Sequence, residues 1–166
     1  VIDVVRSSFW RAICENTIVP DATNPRLWSL PNGLSWPNGT RGLYVRNCYL
    51  ELEAMIFDES SIEMVEVTGT LGIGKTMCLW YLMVRLVERA RASGGPIPSI
   101  AYHTKDAGPG KFFLYRPDGQ VEVKSFPSLD LPDYLFSDGL DIPASSCKVM
   151  NIYEIVMVPL LVKYIH

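Results

Sequence analysis

An eight-residue run, Gly69 to Thr76, constrains the fold of this chain more than any other feature of its sequence. Its letters, GTLGIGKT, match the pattern G-x-x-x-x-G-K-[ST] at every fixed position. Residues 62–68 alternate as a β-strand would, and residues 75–92 predict a strong helix that ends at a Ser-Gly-Gly-Pro stop signal. A strand, a glycine-rich turn and a helix in direct succession predict an α/β domain with a parallel core sheet.

The composition of this run fits the binding of phosphate groups. Its glycines let the backbone adopt conformations closed to other residues, and its end coincides with a helix N-terminus, which attracts anions. Lys75 would neutralise charge on the β- and γ-phosphates, and the Thr76 hydroxyl would bind Mg²⁺. The alternative is a glycine-rich turn that precedes Lys-Thr by chance. The predicted nucleotide-binding residues are Gly69, Thr70, Leu71, Gly72, Ile73, Gly74, Lys75 and Thr76.

A second metal ligand, this one acidic, is expected at the end of an apolar strand. Asp138 follows Tyr134–Ser137 and is the best candidate to hold Mg²⁺ together with Thr76. The alternative for Asp138 is a turn, since Ser-Asp-Gly is a good turn tripeptide. Asp118 and Asp130 are weaker candidates because neither ends an apolar run. Lys75 and Asp138 are therefore the predicted catalytic residues.

The residue that follows Asp138 leaves open whether the chain hydrolyses a bound nucleotide. Many hydrolysing proteins with this loop carry a glutamate there to activate water, and this chain has Gly139. Arg46 and Arg116 are candidate γ-phosphate or trans-acting arginines, with a solvated surface charge as the alternative for each. No Asn-Lys-x-Asp guanine signature is present, so ATP is the default nucleotide.

The remaining segments predict an N-terminal helical segment, residues 1–60, packed on a core at residues 61–166. Helical spacing occurs at residues 3–18 and 43–57, and the stretch from Pro20 to Gly42 reads as a loop with Trp28 and Trp36 on the domain surface. Further strand candidates are residues 99–103, 111–115, 121–126, 134–137 and 148–153.

Composition narrows the classes of partner. The formal net charge is −3, which gives no support for nucleic-acid binding. The apolar runs are too short to span a bilayer, which predicts no membrane partner. The four cysteines have no CxxC spacing, which favours reduced thiols over a zinc site. The sequence begins at Val1 rather than Met, which we interpret as a fragment or processed form.

The loop and its flanks together are similar to a known family. Upstream lies VRNCY, residues 45–49, and downstream Asp138 is followed by Gly139. With GTLGIGKT between them, the chain resembles the P-loop NTPase module of the Crinkler and retrotransposon hot spot (RHS) proteins. Leu71 stands where that family usually has proline. Residues 147–166 also depart from its pattern, so the resemblance allows for a core that is incomplete at the C-terminus.

The resemblance implies a P-loop NTPase-like three-layer core that binds Mg²⁺ and ATP or another nucleoside triphosphate. The favoured function is a Crinkler/RHS-type NTPase, with hydrolysis undecided. The alternatives are a non-hydrolysing nucleotide-binding interaction module, with an unidentified protein partner, and a truncated inactive copy. For intact relatives, the resemblance implies an effector that is secreted into a host and reaches the nucleus or cytoplasm.

Overall fold

A computed structural model of the chain describes residues 1–58, 64–69, 74–125, 132–138, 148–154 and 161–165. For residues 58, 64–69, 148–154 and 161–165 it describes the backbone alone. Within these ranges the chain forms three α-helices and two β-sheets. The helices are Val4–Cys14 (α1), Asn47–Asp58 (α2) and Lys75–Ala92 (α3). The strands are Val19–Pro20 (β1), Leu27–Ser29 (β2), Gly42–Tyr44 (β3), Met64–Gly69 (β4), Ile100–His103 (β5), Lys111–Tyr115 (β6), Val121–Ser125 (β7), Tyr134–Asp138 (β8), Lys148–Glu154 (β9) and Leu161–Ile165 (β10).

The larger sheet has a parallel centre with antiparallel edges. Its seven strands lie in the order β10-β4-β9-β8-β5-β6-β7. The four central strands, β4, β9, β8 and β5, run parallel to one another. The β6–β7 hairpin adds antiparallel strands at one edge, and β10 adds another beside β4. The predicted mixed α/β class with parallel pairing is confirmed, whereas β10 was not predicted.

The smaller sheet replaces much of the loop predicted between residues 20 and 42. Its three strands lie in the order β1-β2-β3, and all of them pair antiparallel. Strands of two or three residues are too short to show a period, and proline, asparagine and glycine dominate the segment. The surface position predicted for Trp36 is also wrong, because this side chain is buried in the core. The predicted division at residue 60 stays a prediction.

Helix α3 lies at the centre of the core. Its residues from Cys78 to Val84 are all buried, so it is apolar on nearly every side. The Trp80 ring packs edge-on against Phe9 of α1 at 5.4 Å and against Tyr102 of β5 at 4.9 Å between centroids. Each buried aromatic of this size stabilises the fold by roughly 2–3 kcal/mol. This packing fixes α3, and with it the residues at its N-terminus, against the sheet.

Helices α2 and α3 lie side by side in the same direction. The Tyr49 hydroxyl donates to the Gly74 carbonyl at the start of α3, Arg85 pairs with Glu53 further along, and Arg89 lies over the Phe57 ring near both helix ends. Contacts therefore run in matching order along the two helices.

Among the described residues, no helix is long and apolar enough to cross a membrane.

Candidate functional site

The predicted phosphate loop connects β4 to α3. Gly69 is the last residue of β4, Gly74 is the N-cap of α3, and Lys75 is the first residue of the helix. Four of the predicted nucleotide-binding residues, Thr70, Leu71, Gly72 and Ile73, lie outside the described residues. The two ends of the loop thus have the strand-turn-helix context that its sequence predicts.

Both the backbone conformation and the surrounding side chains require glycine at position 74. Its φ of 87° lies in the left-handed region, where a residue with a side chain is strained. A Cβ at this position would lie 2.5 Å from the Tyr49 hydroxyl and 3.4 Å from Arg46 Cζ. The side chains of Tyr49 and Arg46 therefore pack closely around Gly74.

The N-terminus of α3 differs from that of α1 in how it is capped. Asp3 caps α1, where its carboxylate accepts a hydrogen bond of 2.8 Å from the Arg6 N–H. Gly74 caps α3 with no side-chain hydrogen bond. The first N–H groups of an α-helix have no partner within the helix and suit an anion, particularly where a glycine cap supplies no side chain.

Lys75 and Thr76 occupy the first turn of α3. Lys75 is only 8% exposed, which is unusual for a lysine side chain. Thr76 is half-buried, and its hydroxyl donates a hydrogen bond of 2.8 Å to Asp138 Oδ2. The two predicted metal ligands are thus in direct contact.

Asp138 also contacts the neighbouring strand. It is the last residue of β8, and the Tyr102 hydroxyl of β5 donates to the same Oδ2 atom at 3.1 Å. Burial, together with the negative charge of Asp138, raises the pKa of Tyr102, so its hydroxyl keeps its proton.

The start of α2 packs against the phosphate-loop end of α3. The Tyr49 hydroxyl donates a hydrogen bond of 2.6 Å to the Gly74 carbonyl, which also accepts the first helical bond, from the Cys78 N–H, at 3.0 Å. Burial raises the pKa of Tyr49, so it too stays a donor. Arg46 precedes α2, and its guanidinium lies beside Gly74. Of the two candidate arginines, Arg46 is the one near the loop.

Other candidates lie at the opposite edge of the sheet. Arg116 and Asp118 belong to the β6–β7 turn, which directly follows Tyr115. Tyr115 pairs with Ile100, the first residue of β5. Arg116 contacts Glu122 at 3.5 Å, and Asp118 accepts from the Gln120 N–H within the turn. Antiparallel pairing carries Arg116 away from Asp138, so its position favours the surface charge over a role at the γ-phosphate of the same site. Asp130 lies outside the described residues.

A cleft of about 720 Å³ lies at this opposite edge too. It is lined by the last turn of α3, the Pro96–Pro98 segment, Pro117 and the first residue of β8. Ligands of parallel sheets bind beyond the carboxyl ends of the strands, where Asp138 and the start of α3 lie. We therefore place the candidate site at the Thr76–Asp138 contact and not in the cleft.

The oxygens of Thr76 and Asp138 suit Mg²⁺, a hard cation. Within the described ranges, no cluster of three or more His, Cys, Asp or Glu side chains could hold a metal alone. Magnesium bound with a nucleotide needs only one or two protein ligands, since phosphate oxygens and water complete its shell. Cys14, Cys48 and Cys78 form no disulfide, and Cys147 lies outside the described residues.

Two hydroxyl groups of the site were not predicted from the sequence. Tyr102 was predicted only as part of a strand, because nothing in the sequence places β5 beside β8. Tyr49 was noticed as part of VRNCY, three residues after Arg46. Its bond to Gly74, by contrast, depends on how α2 packs.

Comparison of the chain with protein-family models, with curated proteins and with solved structures gave no significant match.

Proposed function

We propose that this chain binds a nucleoside triphosphate with Mg²⁺, at the carboxyl ends of the parallel strands, through residues Gly69–Thr76. One observation carries the proposal. The last residues of a complete G-x-x-x-x-G-K-[ST] run open a buried helix, and the Thr76 hydroxyl contacts Asp138 at 2.8 Å. A chance glycine-rich turn would have no reason to meet an acidic strand end 62 residues later.

Each residue has a role in this proposal. The N–H groups at the start of α3 and the Lys75 amine would bind the phosphates, while Thr76 and Asp138 would hold the metal. Bound Mg²⁺ would supply positive charge that neutralises phosphate oxygens. Tyr49 would keep the Gly74 carbonyl directed toward α2, so that the opposite end of that peptide, the Lys75 N–H, stays available to an anion.

The family and the finer fold belong to the same proposal. A P-loop NTPase-like three-layer core of the Crinkler/RHS type is supported by the loop, by VRNCY and by the four parallel strands β4, β9, β8 and β5. Gly139 in place of a glutamate favours the second candidate, a module that binds nucleotide without turning it over. Hydrolysis is therefore proposed only as a further property of the binding site.

The test is the thermal unfolding of the chain with Mg²⁺ alone and with Mg²⁺ plus ATP or GTP. Ligand at about a hundred times its dissociation constant stabilises a folded protein by roughly 2.7 kcal/mol, which is an easily measured shift in midpoint. We expect wild type to shift and Lys75→Ala not to shift. Arg91→Ala is the matched control, because it removes one positive charge from an exposed position at the far end of α3.

The same samples decide between the proposed roles. Phosphate release that is lost in Lys75→Ala would identify an NTPase, and equal stabilisation by ATP and a non-hydrolysable analogue without release would identify a binding module. If wild type unfolds cooperatively and no nucleotide shifts its midpoint, the proposal is wrong.

A further inference from the structure

Asp138 must present its carboxylate in a fixed direction if it is to hold a metal. A carboxylate at a strand end rotates freely about its terminal bond unless its oxygens are hydrogen-bonded, and ordering it on binding costs entropy. Two donors converge on Oδ2, the Thr76 hydroxyl at 2.8 Å and the Tyr102 hydroxyl at 3.1 Å. They come from different elements, α3 and β5.

Thr76 has a second task in the proposed function, since its oxygen would bind the metal. Tyr102 has no such task, so its contact with Asp138 stays the same whether or not the metal is bound. The Tyr102 side chain is 3% exposed and is held by Trp80 edge-on at 4.9 Å. A ring fixed in this way is a rigid support for its hydroxyl.

We propose that Tyr102 is a positioning residue for the Asp138 carboxylate, and that it sets how tightly the site takes up Mg²⁺ together with a nucleotide. The proposal rests on the proposed function. The Tyr102 hydroxyl orients Oδ2 and so forms an outer hydrogen bond behind the proposed metal ligands. Residues that orient metal ligands in this manner affect metal affinity by about 10–100-fold.

A purely structural role for Tyr102 makes a different prediction. A buried tyrosine needs a partner for its hydroxyl, and Asp138 would satisfy that need without any bearing on metal. In that case, removal of the hydroxyl would change the stability of the protein but not the amount of Mg²⁺ that nucleotide binding requires. The Mg²⁺ requirement therefore separates the two roles.

The experiment is a titration of MgCl₂ at fixed ATP, followed by the unfolding midpoint of the whole chain, with ATP plus EDTA as the metal-free reference. For Tyr102→Phe we expect the Mg²⁺ concentration at half-maximal stabilisation to rise about tenfold or more, while the shift given by ATP with EDTA stays as in wild type. Trp80→Phe, which loosens the packing that holds the Tyr102 ring, should raise it less, in the same direction. Tyr134→Phe is the matched control, since Tyr134 begins the same strand that Asp138 ends and should leave the requirement unchanged.

Each outcome has one meaning. A Tyr102→Phe protein that binds ATP with the wild-type Mg²⁺ requirement would overturn the positioning role and leave the proposed function intact. A wild-type protein that ATP does not stabilise at any Mg²⁺ concentration would overturn both. If Tyr102→Phe unfolds without a cooperative transition, Trp80→Phe decides, because it loosens the packing of the Tyr102 ring and leaves the hydroxyl in place; an unchanged requirement in that variant would overturn the positioning role.

Discussion

The Thr76 hydroxyl donates a hydrogen bond of 2.8 Å to Asp138 Oδ2, although 62 residues separate them in the sequence. The contact joins the first turn of α3 to the last residue of β8, and β9 lies between β8 and β4, the strand that precedes the phosphate loop. Parallel strands end at a common edge, so the loop and the carboxylate meet there despite the intervening strand. This contact defines where the proposed site lies.

Thr76 and Asp138 should be energetically coupled even without nucleotide. A hydrogen bond to a carboxylate contributes about 1.5–3 kcal/mol, and Thr76→Val and Asp138→Asn each weaken the same one. A double-mutant cycle by denaturant unfolding should give a coupling of about 1 kcal/mol or more. The exposed Thr23–Asp21 bond in a turn is the control pair, with an expected coupling near zero. Additive effects at Thr76 and Asp138 would show that the contact is not formed in solution.

Gly74→Ala should destabilise the chain more than Gly94→Ala. Both glycines have positive φ, which costs another residue about 1–2 kcal/mol. A Cβ on Gly94 would meet nothing within 4 Å, whereas on Gly74 it would lie 2.5 Å from the Tyr49 hydroxyl. We expect the difference in free energy of unfolding between the two variants to be at least about 1 kcal/mol. Tyr49→Phe should partly relieve Gly74→Ala, and equal losses in both glycine variants would contradict the close packing of Tyr49.

Glu53→Ala should be one of the more damaging substitutions in α2. Glu53 is 7% exposed and accepts hydrogen bonds from the Tyr81 hydroxyl and, at 2.8 Å, from Arg85 Nε. Its removal leaves the buried Tyr81 hydroxyl without its acceptor and the half-buried Arg85 guanidinium with Glu88 alone, which costs about 2–4 kcal/mol. Chemical unfolding of Glu53→Ala beside Glu51→Ala tests this, since Glu51 is exposed on the same helix and should change stability by less than about 0.5 kcal/mol. A similar small effect at both positions would argue against the α2–α3 contact.

His103 should make the folded state sensitive to mild acid. Burial lowers the pKa of His103 from its ordinary value of 6.5, so the unfolded chain binds a proton there before the folded chain does. Its contribution to stability is therefore complete above pH 6.5 and is lost as the pH falls below that value toward the lowered pKa. Urea unfolding at about pH 7.5 and about pH 5.5 should show a smaller loss for His103→Gln than for wild type. The pKa of the Glu122 carboxyl is lowered from 4.5 by its hydrogen bond with Lys124, so this group affects stability in a separate and more acidic pH range.

Sequence reasoning worked where a signal is local and failed where it depends on packing. Helix α3 was predicted at its observed bounds because eighteen residues of apolar pattern, a phosphate-loop start and a glycine stop all agree. The β6–β7 hairpin followed from Arg116-Pro117-Asp118-Gly119. Strands β1 to β3 were missed because two or three residues carry no measurable period.

The candidate site shows the same division. Lys75, Thr76 and Asp138 were named from the sequence because a motif and an apolar strand end mark them. Tyr102 could not be assigned to the site from the sequence, because a tyrosine within a buried strand indicates only core packing. Its place in the site depends on the pairing of β5 with β8. Arg46 and Arg116 looked alike in sequence, and the antiparallel turn of β6 and β7 separates them.

The position of β4 inside the larger sheet affects how the protein is made. Both of its neighbours, β9 and β10, follow β8 in the chain, so α3 and strands β5 to β8 leave the ribosome before either partner of β4 exists. During synthesis, the strand that leads into the phosphate loop has two open edges, and open edges invite pairing with other chains. Nascent chains that stall before residue 148 would accordingly be prone to aggregate.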